Sequence, residues 1–264
     1  QQRKILVHCI GLQFAGEHDP HHGNSVSVKR LPQGVPPSVD SNDSLYFRIH
    51  GVNRNVRVLG MVSRKYEQRL RAESAERTRR RILDALYQRL SEAPTEPVSI
   101  DRVAKLAGVA RPTVYQVFGS RAGLFEALGA DLLYRGGFAQ MLQEAAQPDA
   151  RDGLRGAIRG VVRIYAANID VVRALSSMAR LDAAAAGGAI RRMEEGRLTG
   201  AADLAGRLAE QGWLRSEVSV ERATDLLWLL TSFEGVDLLH TGRSRAPEEI
   251  ADTLIAAAEQ SLLQ

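Results

Sequence analysis

From Ser74 onward the apolar positions of this chain fall on a helical period. Ile82, Leu83, Leu86 and Leu90 lie at i, i+1, i+4 and i+8, one stripe of a helix that Ser74 can cap and that Pro94 and Pro97 end. Ile100, Val103, Ala104 and Ala107 repeat at i, i+3, i+4 and i+7 behind a second cap candidate, Ser99, and Gly108 is placed to stop that short helix in a left-handed conformation. A third helix opens at Pro112, whose missing N–H is harmless in a first turn. Val114 and Phe118, four apart, form its inner face, so Arg111, Thr113, Tyr115 and Gln116 point outward. Leu124, Phe125, Leu128 and Leu132 then predict a fourth helix running from Ser120 towards Ala146.

Further helices are predicted over 152–169, 171–181, 188–211, 219–240 and 247–262, punctuated by Pro148, Gly187-Gly188, Gly212 and Pro247. No alternating strand pattern occurs in 61–264, so the expected fold class is all-α: a helix-turn-helix domain followed by a helical ligand-binding and dimerisation domain. Residues 11–60 sustain neither period and scatter Gly, Pro, Ser, Asn and His among short apolar pairs.

Composition sharpens that break. Residues 1–60 hold one alanine (Ala15), the only cysteine (Cys9) and five of the six histidines, whereas 61–264 hold 34 alanines. Residues 1–60 are therefore expected to be a disordered extension upstream of a natural start at Met61; His18, His21 and His22 lack partners for a metal site. The domains expected after it are a basic arm at 61–74, a DNA-binding domain at 75–134 and an effector-binding and dimerisation domain at 135–264. Charge follows the same division: basic and acidic side chains number 7 and 4 in 1–60, 14 and 9 in 61–135, and 14 and 18 in 136–264. A basic head on an acidic body suits a protein that binds nucleic acid with one part only.

Enzymatic chemistry has little material here. Between 61 and 264 there is no cysteine, one histidine (His240), no H-E-x-x-H spacing and no Gly-rich loop after a strand, so neither an enzyme, a metal nor a cofactor is expected. No run approaches the ~20 apolar residues that cross a bilayer, and the expected location is the cytoplasm.

Residues 99–118, SIDRVAKLAGVARPTVYQVF, read as a short helix, a Gly-containing turn and a second short helix, the geometry that seats a recognition helix in the major groove. Upstream lie Arg77, Arg79, Arg80 and Arg81. The run RTRRRILDAL followed by VSIDRVAKLAGVARPTVYQVFGSRAGLFEAL resembles the DNA-binding domain of TetR-family regulators over about 60 residues, and SVERATDLLWLLTSFEGVDLL is similar to their penultimate, dimer-forming helix. The resemblance implies that Arg111 and Thr113 face base edges, that Tyr115 and Arg121 hold phosphates, and that Ser99 touches the DNA backbone, with Pro112 and Gln116 on the same surface. Arg can read guanine bidentately, a Thr methyl can touch thymine, and a Tyr hydroxyl can bond a phosphate oxygen. The sequence departs from the family at Ala110, where a Ser or Thr cap is usual, at Pro94 and Thr95, at Val117, and at Gly123, where Glu often completes a capping box.

For the body, the expectation is a homodimer and a small, largely apolar effector that releases double-stranded operator DNA. Phe138, Met141, Tyr165, Met178 and Trp228 are candidates to line a ligand cavity. Ala223, Leu226, Leu227, Leu230 and Phe233 on one helix, with Ile250, Leu254, Ile255, Ala258 and Leu262 on the next, are expected to meet their symmetry mates in a four-helix bundle. A constitutive or architectural DNA binder without a sensor is the alternative, and a cavity in the body separates the two.

Overall fold

The computed structural model describes the backbone of residues 59–264 and the side chains of residues 66–264. The expected extension, with His18, His21 and His22, lies outside the described residues except for the backbone of residues 59 and 60. The described residues divide between two units, one of Arg71–Gln264 and one that ends at Leu70. In the second unit the described part is helical, with the Arg69 guanidinium 6.0 Å from the centre of the Tyr66 ring. Every described helix beyond residue 92 belongs to the first unit.

The described chain forms α1 (Leu59–Glu92), α2 (Ile100–Leu106), α3 (Arg111–Phe118), α4 (Arg121–Arg135), α5 (Phe138–Ala145), α6 (Ala150–Ala166), α7 (Ile169–Leu181), α8 (Ala183–Glu210), α9 (Val220–Leu230), α10 (Phe233–Arg243) and α11 (Pro247–Leu262). The fold is all-α; one antiparallel bridge joins Leu214 to Leu263. Ser74 does not start a helix as expected. It lies inside α1, where its carbonyl accepts the Thr78 hydroxyl at 3.0 Å, because residues 61–92 contain neither Gly nor Pro to interrupt it.

The first four helices share one core. Ile82, Leu86 and Leu90 of α1 meet Val103 of α2, Val114 of α3 and Leu124, Phe125 and Leu128 of α4, all essentially sealed from solvent. Burial of each large side chain stabilises by roughly 1.5–3 kcal/mol. At its edge the buried Asp131 carboxylate receives Arg80 and Arg135, each at 2.6 Å, which ties α1 to α4 and answers a charge that burial alone would penalise. Asn168, also buried, donates from Nδ2 to the carbonyls of Ile164 (2.8 Å) and Leu132 (3.3 Å), fastening the end of α4 to the end of α6.

The expected fourth helix is two helices. Gly137, at φ 81, turns the chain left-handed and separates α4 from α5. α5 then returns along a row of glycines on α6: a Cβ at Gly153 would meet the Ala145 carbonyl oxygen at 2.6 Å, one at Gly156 the Glu144 carbonyl at 2.6 Å, and one at Gly160 the Met141 side chain at 2.1 Å. No other residue lets these backbones approach so closely. Two further expectations shift. α8 starts at Ala183 and runs through Gly187-Gly188, and the helix expected over 219–240 breaks at Thr231, where Ser232 caps α10 by accepting from Gly235 N–H at 3.2 Å.

The apolar faces expected to meet a second copy are instead buried inside the chain. Ala223, Leu227, Phe233, Ile250, Leu254, Ile255, Ala258 and Leu262 belong to the core, and Leu226 and Leu230 pack against it. α11 uses its stripe on α6, with Arg155–Glu259 (2.7 Å) and Arg159–Asp252 (3.8 Å) alongside. Of the large apolar side chains that remain exposed nearby, Leu181, Leu229 and Leu238 are the most so.

Candidate nucleic-acid interface and ligand cavity

Gly108, at φ 64, makes the turn between α2 and α3 possible, and Val114 is the anchor that presses α3 onto the core. The rest of α3 follows from that anchor. Arg111, Pro112, Tyr115 and Gln116 are exposed and Thr113 is half-buried, so the outward face expected for a recognition helix is the one presented. Ser99 precedes α2 with an exposed side chain that makes no capping hydrogen bond, which leaves its hydroxyl available, and Ala110 leaves α3 without a side-chain cap.

Arg111 lies across the turn against Asp101 of α2 at 3.1 Å, with its guanidinium 5.8 Å from the centre of the Tyr115 ring. Both ends of that pair are more than half exposed, so water and salt screen it heavily. Exchange of Asp101 for a guanine edge therefore needs little. The Tyr115 hydroxyl and Asp101 together hold the Arg111 guanidinium above its ordinary pKa, which keeps it charged.

Arg121, expected at a phosphate, has partners within the chain. At the first turn of α4 it points toward the body, its guanidinium bonding Asp182 at 2.6 Å and the Val98 carbonyl at 3.4 Å. Two of its five N–H donors are committed there. Asp182 is itself the N-cap of α8, accepting from Ala185 N–H at 3.1 Å, so Arg121 joins the foot of α4 to the head of α8. Gly123, where the sequence departs from the family, has a steric reason: a Cβ there would stand 2.2 Å from the Phe118 carbonyl oxygen, and Ser120 caps α4 alone through Gly123 N–H at 2.9 Å. The exposed Lys105 and Arg102 of α2 add positive charge on the neighbouring helix, at positions where the sequence shows only two more basic residues among many.

Two open cavities lie in the body. The larger, about 490 Å³, lies among α7, α8, α9 and α10, and the smaller, about 230 Å³, among α5, α6, α8 and α9. Four of the five expected ligand residues stand at them: Phe138 and Met141 at the smaller, Trp228 at the larger, and Tyr165 at both. Met178 is buried in the core instead. Sequence reading missed Arg197 of α8, which also reaches both cavities, bonds the Thr231 hydroxyl at 3.2 Å and lies 5.4 Å from the Trp228 ring centre. Arginine on a helix reads as solvated by default, and nothing local marks this one as inward.

Residues 82–128 match the profile of bacterial regulatory proteins of the tetR family, a span that runs from the core of α1 through α4. Over that span the chain resembles the TetR family. Solved structures of TetR-family regulators share its fold. NalD of Pseudomonas aeruginosa is 21% identical, with 73% of this chain and 98% of that one covered at a TM-score of 0.56. A TetR-family regulator from Rhodococcus sp. is 18% identical over 72% and 100%, also at 0.56. The fatty acid degradation regulator FadR from Bacillus halodurans is 17% identical over 68% and 93%, at 0.54. At such identities the likeness is one of fold. Among curated proteins no sequence match was found. No helix among the described residues is long and apolar enough to cross a membrane.

Proposed function

We propose that this chain is a DNA-binding transcriptional regulator of the TetR kind, a dimeric repressor that holds a near-palindromic operator until a small ligand occupies the cavities of its helical body. The observation that carries the reading is a single helix with two duties. α8 lines both cavities, and its N-cap, Asp182, holds Arg121 at the start of α4, directly behind the recognition helix. A ligand that moves α8 changes the setting of α3. Thermodynamically this is a population shift, effective only to the extent that the ligand prefers the conformation that mismatches the operator. A coupling of 1–3 kcal/mol would weaken operator binding roughly 5- to 150-fold.

The second copy is assigned to the edge carrying Leu181, Leu229 and Leu238. These side chains are 89%, 65% and 68% exposed and surround the Arg180–Glu234 ion pair that joins α7 to α10. An isologous dimer would cover them and leave the pair at its rim. Repression is favoured by analogy with NalD, which is the secondary repressor of the MexAB-OprM multidrug efflux pump in its own organism. Base reading is assigned to Arg111 and Thr113, with phosphate contacts at Tyr115 and Ser99, and Pro112 and Gln116 flanking them.

The test is selection of bound duplexes from a random-sequence pool by the full chain, followed by footprinting. The expected product is an inverted repeat with half-sites about one helical turn apart or slightly more. Arg111→Ala should weaken binding by roughly 1–3 kcal/mol at one base position and relax preference there. Enrichment of no sequence, or unchanged footprints for both Arg111→Ala and Tyr115→Ala, overturns the assignment.

A further inference from the structure

The two cavities share a wall made of Tyr165, Met193 and Arg197. Tyr165 is only 5% exposed, and its ring stands edge-on to Phe233 with centroids 5.5 Å apart. Its hydroxyl has no hydrogen-bond partner among the described residues, and burial pushes its pKa up to about 12, so at neutral pH it is a proton donor with nothing to receive the proton. Buried phenols ordinarily find a partner. Beside it the Arg197 side chain, 11% exposed, bonds Glu194, the Trp228 carbonyl and the Thr231 hydroxyl, yet its Nε–H is buried and unmet. The Tyr165 hydroxyl is thus a donor without an acceptor on this wall, and the Arg197 guanidinium stands beside it as its positive charge.

The charge around them has the same sense. The cavity walls carry Arg180, Arg191, Arg192, Arg197 and Arg207 against Glu194, Glu234 and Asp203. Arg180, Arg192 and Arg197 are answered by Glu234, Glu126 and Glu194, whereas Arg207 is met by the main-chain carbonyls of Ala145 and Gln147 rather than by a carboxylate, so the excess rests on Arg191 and Arg207 against Asp203. An ammonium head would meet this excess unfavourably, and an alcohol would leave it unbalanced. Away from the wall the smaller cavity is a hydrocarbon chamber, lined by Phe138, Met141, Leu142, Ile158 and Val161.

We propose that the effector is an amphipathic carboxylic acid whose carboxylate seats against Tyr165 and Arg197 and whose hydrocarbon tail fills the chamber between α5, α6 and α8. The proposal rests on the ligand-release reading above and gives that ligand a chemical class. Charge-assisted hydrogen bonds from a phenol beside a guanidinium are the strong kind, so the head group should decide affinity once chain length is held fixed.

Decanoate, decanol and decylamine, titrated separately by calorimetry into the full chain, form the test. Decanoate should bind at least ten-fold more tightly than decanol, and decylamine more weakly than either. Tyr165→Phe removes one oxygen and keeps the ring, so it should lower decanoate affinity about five-fold and leave decanol unchanged; its thermal melt checks that the fold is intact. Equal affinities for decanoate and decanol, or an unaffected Tyr165→Phe, overturn the proposal. The same titrations against a selected operator separate the two readings. Selective decanoate binding with constant operator affinity supports the acid site and sinks ligand release, whereas operator release by decanol with no decanoate binding sinks the acid and keeps release.

Discussion

Gly156→Ala should destabilise this protein although the substitution improves helix propensity. Inside α6 the exchange of Gly for Ala favours the helix by about 1 kcal/mol. Against that, the new Cβ would stand 2.6 Å from the Glu144 carbonyl oxygen, 2.7 Å from its carbon and 2.8 Å from its Cβ. Two of these three atoms are backbone, so no rotamer change relieves the clash and α5 must retreat as a unit. Overpacking of this kind typically costs about 1–3 kcal/mol, and a backbone obstacle puts it at the upper end. Retreat also loosens the Met141 contact with Gly160 and lengthens the Glu144–Arg163 ion pair, now 3.0 Å.

The net expectation is a loss of roughly 2 kcal/mol, or a fall in Tm of about 4–8 °C for a domain of this size. Gly200→Ala is the matched control. It sits inside α8, exposed, with nothing within 4 Å of an added Cβ, and should gain about 1 kcal/mol. Both variants should be melted and unfolded in urea at one fixed protein concentration, since dimerisation makes stability concentration-dependent. If Gly156→Ala matches or exceeds the parent, α5 does not lie on the glycine row and the floor of the smaller cavity is misplaced.

Other substitutions address the remaining links. Arg121→Ala, which cuts the tie to Asp182, should leave operator preference unchanged while reducing the effect of ligand on operator affinity; a variant that loses affinity equally for all sequences, with a flatter salt dependence, would return Arg121 to phosphate binding. Leu229→Asp with Leu238→Asp should give monomers in sedimentation with the helical signal intact, and a double variant still dimeric at micromolar concentration would refute that edge as the interface. Asp149, whose carboxylate caps α6 and bonds the Arg151 side chain, is held at about 2 against an ordinary 3.8. A carboxyl depressed in the folded state contributes fully above pH ~4, and its contribution is lost as pH falls from there towards 2. NMR titration should find its midpoint below 3.8; a midpoint at or above that value removes the contribution.

How far the sequence could be read depended on what each signal physically reports. Apolar periodicity reports burial, and it located the helices and the core of α1 to α4 because Ile82, Leu86, Val103, Val114 and Leu128 have one environment to satisfy. Glycine was less informative, since one residue type serves two opposite ends. Gly137 breaks the chain between α4 and α5 by taking φ 81, whereas Gly188 stays helical and admits the Glu126 carboxylate, whose oxygen would lie 2.9 Å from an added Cβ. Gly187-Gly188 therefore looked like a stop and is a close approach. The row at Gly153, Gly156 and Gly160 likewise signals nothing until α5 lies on it.

The same limit explains the dimer assignment. A stripe such as Ala223, Leu227 and Leu230, or Ile250, Leu254 and Ala258, says that something apolar covers it and is silent on whether the cover comes from the same chain. Here α6 supplies it for α11, and the surplus apolar surface lies off the stripes, at Leu229 and Leu238. Those two interrupt the periodic pattern, and periodicity alone assigns them to solvent. The inward arginine fails to show for the mirror-image reason. Arg197 on the stripe of α8 would be taken for a solvated charge, yet Glu194, one turn earlier, and the exposed carbonyl at the broken end of α9 make its burial tolerable. A buried charge with its partners on the same wall and one N–H unspent is a feature of the tertiary structure alone, and it is what turns a greasy cavity into a site with a preferred head group.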